Sequence, residues 1–265
     1  MRPFRVKIVL LHHKKWVFTG LAALLGLVIC VACVSARSIP TAATLRELPI
    51  YCVQKETPIC ALSFDAAWGN EDTQQLIEIF DKYQLKTTFF VVGEWVDKYP
   101  ESVQALHAAG HEVMNHSDDH PYFTKLSAQQ MQEQLSACNE KIAAITGETP
   151  LLFRPPYGDY NDTVIRTVRD CGMYAIQWDV DSLDWKNLGV EPMIQRTTKN
   201  LHPGDILLFH NNSQYITQAL PTIIESIQSQ GYQIVPISEL VLSQPYWIDH
   251  TGMQHAGNAE GGNGQ

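Results

Sequence analysis

Strand-like and helix-like segments alternate along this chain from Ile59 to Val235, and a polar block follows nearly every strand-like run. Ile59–Phe64 is a short apolar run bounded by Pro58 and the Ala66–Gly69 turn, which reads as a buried strand. Thr87–Val92, His111–Met114, Leu151–Phe153, Tyr174–Trp178, Asp205–Phe209 and Tyr232–Val235 read the same way. Helical stretches lie between them at Glu71–Tyr83, Pro100–Ala109, Ser127–Ile145, Asn161–Cys171, Pro192–Asn200 and Gln214–Gln230. Ser127 is placed to cap the long helix and Gly147 to stop it. Repeated βα units imply a parallel sheet, so the expected class is α/β, as an open sheet or a barrel. Sites in such folds form at the carboxyl edge of the strands. Polar blocks scattered over the sequence are therefore expected to converge on one mouth.

Length and charge narrow the rest. With 265 residues and 45% hydrophobic content, one globular domain with a substantial core is expected. Arg2, Arg5, Lys7, Lys14 and Lys15 precede any acid, so the remainder carries 19 − 5 = 14 basic against 28 acidic residues, a balance of −14. Such a body repels a phosphate backbone, which excludes nucleic acid as a natural partner. The basic start leads into the uncharged run Trp16–Val34, long enough for a membrane helix with the N-terminus inside. The expected organisation is a basic cytoplasmic segment at 1–15, a single-pass transmembrane anchor at 16–36 and a linker at 37–56. An extracytoplasmic domain at 57–242 and a disordered tail at 243–265 follow. Val34-Ser35-Ala36 also suits a signal peptidase, which gives the alternative of secretion after cleavage. Outside the anchor, Cys52, Cys60, Cys138 and Cys171 allow three disulfide pairings or none, and as buried thiols they act as small hydrophobes.

The polar blocks carry the chemistry. His116 and His120 stand four apart in Asn115-His116-Ser117-Asp118-Asp119-His120, a spacing at which two imidazoles can meet one metal ion. Ser63-Phe64-Asp65 precedes them; Arg154-Pro155-Pro156-Tyr157-Gly158, Asp181-Ser182-Leu183-Asp184-Trp185 and Leu207-Leu208-Phe209-His210 follow. Each block has a structural explanation of its own. Asp65 could cap a helix, the prolines stiffen a turn, Asp181 and Asp184 could hold a loop, and His210 could be a satisfied core histidine. Separate explanations do not account for five such blocks in order, each after a strand.

Over Thr57 to Leu242 these blocks resemble those of the polysaccharide deacetylases, the NodB-homology carbohydrate esterases of family 4. The resemblance implies a distorted (β/α) barrel and removal of acetyl groups from N-acetylated sugars of peptidoglycan or chitin-like polymers. It also implies a divalent metal, zinc or alternatively cobalt or manganese, and it looks most like the sporulation and cell-wall branch. By the same resemblance Asp65 is the catalytic base, His116 and His120 are the metal ligands, and Arg154 orients the base. Asp181 tunes the general acid His210, while Tyr157, Trp185 and Leu208 line the substrate pocket. Ala66 departs from the pattern, standing where the family has a metal-binding aspartate. Two functions follow as alternatives: a working envelope deacetylase, or a disabled relative that binds glycan or a wall-assembly partner. Asp118, Asp119 and Asp72 are candidate substitutes for the missing ligand, and Trp68 and Trp178 read as packing residues.

Overall fold

The computed structural model describes residues 46–257. The expected cytoplasmic segment and membrane anchor lie outside the described residues, among which no helix is long and apolar enough to cross a membrane. In chain order the elements are β1 (Cys52–Val53), β2 (Ile59–Ala66), α1 (Thr73–Lys82), β3 (Thr88–Val91), α2 (Gly93–Lys98), α3 (Pro100–Ala108) and β4 (Glu112–Asn115). Then come α4 (Ala128–Thr146), β5 (Leu152–Phe153), α5 (Asp162–Asp170), β6 (Tyr174–Ala175), β7 (Val180–Asp181), α6 (Val190–Thr198) and β8 (Ile206–His210). The chain continues with α7 (Ile216–Ser229), β9 (Gln233–Ile234), α8 (Ile237–Leu240), β10 (Tyr246–Ile248) and β11 (Met253–Ala256).

The main sheet runs in the order β6-β5-β4-β3-β2-β8-β7, all parallel, with β9 against the start of β2. β2 to β6 lie side by side in chain order, β7 pairs with β8, and β8 returns to β2. That is the order of a barrel left open at one seam, between β6 and β7, and the sheet curls accordingly.

β2 shows why the sequence builds this arrangement. Successive side chains alternate across a strand. Cys60, Leu62, Phe64 and Ala66 therefore face the helical layer, in one core with Leu76, Phe80, Leu220 and Ile224. Ala61 faces the barrel interior, in a separate cluster with Phe90 and Ile206, and Ser63 and Asp65 share its side of the strand. The Phe64 ring stacks between Phe89 at 5.1 Å and Phe209 at 5.3 Å, tying three adjacent strands together. The long helix α4 begins and ends on the expected residues. Ser127 and Gln130 form a reciprocal capping box, and Gly147 closes the helix in the left-handed conformation.

Several expectations need correction. The strand read over Tyr174–Trp178 stops at Ala175, because the next residues bond elsewhere: Gln177 N donates to Ile50 O and Asp179 N to Ile206 O. The region read as a linker up to residue 56 contains β1, and the region read as a disordered tail contains β10 and β11. β11 pairs in parallel with β1 and antiparallel with β10, giving a small second sheet. It is held by main-chain bonds and by the buried Gln254 side chain, whose amide exchanges hydrogen bonds with the Leu242 backbone at 2.8 and 3.0 Å. The four cysteines beyond the anchor are all free thiols, with Cys171 exposed and the others buried.

Candidate active site

Asp65, next to last in β2, points inward and is 6% exposed. Its Oδ1 accepts a 2.7 Å bond from Nη1 of the fully buried Arg154. Arg154 also donates from Nη2 to Ser63 Oγ at 2.8 Å and to Gln177 O at 3.2 Å, and its guanidinium lies over the Phe90 ring at 4.2 Å. Burial pushes the Asp65 carboxyl pKa up, but the charge of Arg154, with His116 and His210, outweighs it. The net position is below the ordinary carboxylate range.

The histidine pair sits on a tight loop after β4. Asn115 shapes the loop: its buried amide donates to Leu135 O and Asn139, while its Oδ1 accepts from Ser117 N at 2.7 Å. Ser117 and His120 both take positive φ, and Ser117 Oγ accepts from His120 N. His116 Nδ1 bonds to Arg154 O at 2.7 Å, which leaves its Nε2 as the free lone pair. That Nε2 lies 3.2 Å from His120 Nε2 and 3.5 Å from Asp65 Oδ2. Burial depresses the pKa of both rings, that of His120 to about 4 with the help of its neighbour, so both are neutral and fit to bind a cation.

Their geometry suits one metal. Two nitrogens each about 2.0–2.1 Å from a tetrahedral zinc would lie about 3.3 Å apart, close to the 3.2 Å between these two. A third protein ligand is missing: among the described residues no cluster of three or more His, Cys, Asp or Glu side chains is placed to hold a metal. Ala66 is fully buried in the sheet–helix core rather than beside the imidazoles. Two of the three candidate substitutes are engaged elsewhere, Asp72 Oδ2 accepting from Asn212 N at 2.7 Å and Asp118 Oδ1 pairing with Lys141 Nζ at 2.6 Å. The Asp119 amide is held by Gln134 Oε1.

His210 ends β8 directly across from Asp65 in the β2–β8 register. Its partner is Asp184, 2% exposed, whose Oδ1 accepts from His210 Nδ1 at 2.7 Å and whose Oδ2 accepts from His210 N at 2.6 Å. Burial pushes the imidazole pKa down, but the Asp184 bond and charge, with Asp65 and Asp181, reverse this and leave it raised. The resemblance implied Asp181 as the tuning carboxylate; the direct contact is made by Asp184. Asp181 instead accepts from Leu183 N at 2.8 Å, fixing the turn that presents Asp184, and reaches His210 only through its charge.

A cavity of about 700 Å³ opens at this mouth, lined by Asp65, His116, His120 and His210 and by Tyr157, Trp185 and Leu208. All nine expected site residues are thus accounted for: Arg154 lies behind Asp65 and the others line the cavity, Asp181 among them. Trp68 and Trp178, read as packing residues, line it too, and Trp68 is 62% exposed. The roles of Ser63 and Asp184 were missed. Ser63 carried a signal, standing two residues before Asp65 and hence on the same strand face. For Asp184 the sequence offered two aspartates three apart and nothing to choose between them.

Residues 53–176 match the family model for polysaccharide deacetylases. The peptidoglycan-N-acetylglucosamine deacetylase of Bacillus cereus is 32% identical over 207 residues, covering 76% of this chain and 94% of that protein. The uncharacterized protein YlxY of Bacillus subtilis is 32% identical over 198 residues, 75% of this chain but 62% of its own length. The chain therefore spans under two thirds of that relative. Among solved structures, BA3943 of Bacillus anthracis, a CE4 family pseudoenzyme, shares 36% identity at a TM-score of 0.70, over 72% of this chain and 68% of that one. A mutant of BA3943 with restored enzymatic activity is similar at 37% identity and the same TM-score. The match takes in both ends of the Asp65–Arg154 pair and, in the Bacillus cereus relative, nearly a whole protein: this chain belongs to the polysaccharide deacetylase family.

Proposed function

We propose that the protein hydrolyses the acetamide of N-acetylated sugars in an envelope polysaccharide of the peptidoglycan type, releasing acetate and a free amine. The observation that carries this reading is the pairing of opposite environments across one strand register. The pKa of Asp65 is held below its ordinary value, and that of His210 above it. That is the disposition of a general base and a general acid. A binding site has no need of it.

In this reading the carbonyl end of the acetamide enters the cavity beside His116 and His120. A divalent ion, zinc being best suited to two neutral imidazoles, would be held by these residues, acidify water and polarise the carbonyl. Asp65 accepts the water's proton, its carboxylate kept anionic by Arg154. As the carbon–nitrogen bond breaks, His210 delivers a proton to the departing nitrogen, and Asp184 keeps the ring oriented and charged. Tyr157, Trp185 and Leu208 enclose the acetyl methyl. We place this chemistry outside the membrane, with the Trp16–Val34 segment as a single-pass anchor or, if cleaved, as a secretion signal.

A second reading rests on Ala66: a site with two protein ligands holds metal weakly, and the domain would then bind glycan without turnover. Acetate release by the full chain from N-acetylglucosamine oligomers and peptidoglycan separates the two. It is measured metal-free, then with zinc, cobalt or manganese, beside Asp65→Ala. Metal-dependent release lost in the variant supports the deacetylase. Absence of release with every metal, from folded protein that still binds glycan, overturns it in favour of the binder.

A further inference from the structure

The loop that carries the histidine pair turns through two left-handed residues that are not glycine, Ser117 at φ +71° and His120 at φ +60°. Such backbone is unfavourable for a residue with a Cβ and persists only where its surroundings fix it. The partners of the loop amides show what fixes it here. His116 N donates to Val91 O at 3.0 Å, Ser117 N to Asn115 Oδ1 at 2.7 Å, and His120 N to Ser117 Oγ at 3.0 Å. These three find partners in the loop itself or on the strands beneath it. The other two do not. Asp118 N and Asp119 N both donate to Oε1 of Gln134 on α4, at 3.0 and 3.1 Å.

Gln134 is half-buried, and two donors aimed at one of its terminal atoms require that atom to be the oxygen. The loop carbonyls are met by α2, whose Gly93 N and Glu94 N donate to Ser117 O and Asp118 O at 2.9 and 2.8 Å. A Cβ on Gly93 would strike the Asp118 carboxylate, so this close approach needs glycine. Lys141 of α4 joins the two helices across the loop, pairing with Asp118 at 2.6 Å and with Asp97 of α2 at 2.7 Å. The loop is thus clamped between α2 and α4 by protein groups alone, with its two Nε2 atoms 3.2 Å apart. Where Ala66 leaves two protein ligands in place of three, affinity for a cation depends the more on ligands that are already in position.

We propose that Gln134 is a positioning residue, which holds the Asp118 and Asp119 amides so that His116 and His120 present both Nε2 atoms to one divalent cation. The clamp offsets part of what the missing carboxylate at position 66 takes away. This rests on the metal reading of the histidine pair but not on turnover.

The test is calorimetric titration of the full chain with zinc, beside absorption spectra of the cobalt-loaded protein, whose visible bands report ligand geometry. Gln134→Leu keeps the bulk and removes the acceptor, and it should weaken zinc binding by about tenfold or more and alter the cobalt bands. Gln134→Glu returns an oxygen to both amides and should restore most of the affinity and the wild-type bands. Gln132→Leu, at an exposed position of the same helix, should bind zinc as the wild type does, which separates the amide contact from a general effect on α4. Should Gln134→Leu fail to fold, Lys141→Met releases the Asp118 side chain from the same clamp and should weaken zinc binding in the same direction. Wild-type protein that takes up no zinc, equal affinities for wild type and the folded variant, or no recovery in Gln134→Glu would overturn the proposal. Zinc binding that depends on Gln134, without acetate release under any metal, would remove the deacetylase reading and leave this one standing.

Discussion

Asp184 is the residue whose removal reports most directly on the site. Its two oxygens hold both the ring and the backbone amide of His210, and its hydrogen bond and charge, with Asp65 and Asp181, outweigh the burial that pushes the imidazole pKa down. The raised pKa means that His210 stays protonated above its ordinary value of about 6.5, and the acid function is lost only as pH rises through the raised value. At the other limb the depressed pKa of Asp65 keeps the base ionised until pH falls below the usual carboxylate range. Asp184→Asn should therefore move the alkaline limb of the kcat/KM profile for acetate release to lower pH and leave the acidic limb in place. An unmoved alkaline limb would show that another group sets it. Ala66 poses a different problem. Its Cβ belongs to the layer between sheet and helices, so a carboxylate there reaches the imidazoles only if the end of β2 turns. Ala66→Asp should lower the metal-free melting temperature, because an unpaired carboxylate enters a core. It should also tighten zinc binding by about tenfold or more, about 1.4 kcal/mol, with the melting temperature recovering as zinc is added. Equal zinc titrations for variant and wild type would refute the third-ligand account.

Among the elements, the contact between the barrel and the small sheet is the most intolerant of change. Gly204, just before β8, has φ of +96° and lies so close to β1 that a Cβ would overlap the Val53 carbonyl oxygen. Its amide donates to Ile59 O and its carbonyl accepts from Val53 N, so one residue ties β1 to the start of β2. Gly204→Ala combines backbone strain with a backbone clash and should cost roughly 2–4 kcal/mol in denaturant unfolding. A change within about 0.5 kcal/mol would show that this junction yields freely. The helices are more readily understood from sequence. Ser127, Gln130 and Gly147 act within one turn of their own helix end, and the local signal suffices. β1, β10 and β11 offered no such signal, because strands of two to four residues are too short to show a period and are stabilised by partners distant in the chain.

At the scale of the whole molecule, residues near both ends of the described region close the same sheet. Tyr51 N donates to Gly252 O, Gln54 N to Gln254 O, and β11 pairs with β1. Removing the residues after Ser243 would strip β1 of its partner and leave the Leu242 backbone without Gln254. Such a truncation should lower the melting temperature by about 5 °C or more; an unchanged melt would mean the small sheet adds nothing to the barrel. By itself the sequence determined the α/β class, the alternation of the principal strands and helices, and the residues gathered at the mouth. These depend on periodicity, on caps and on the rule that parallel strands send their carboxyl ends to one edge. Only the tertiary structure decided which aspartate serves His210, that the 174–178 run breaks at the seam, and that residues 246–256 form a strand pair. It also showed that Trp68 stands in solvent and that Ala66 faces away from the histidines. Each of these depends on which groups meet across long sequence separations, and pattern along a chain carries no record of that meeting.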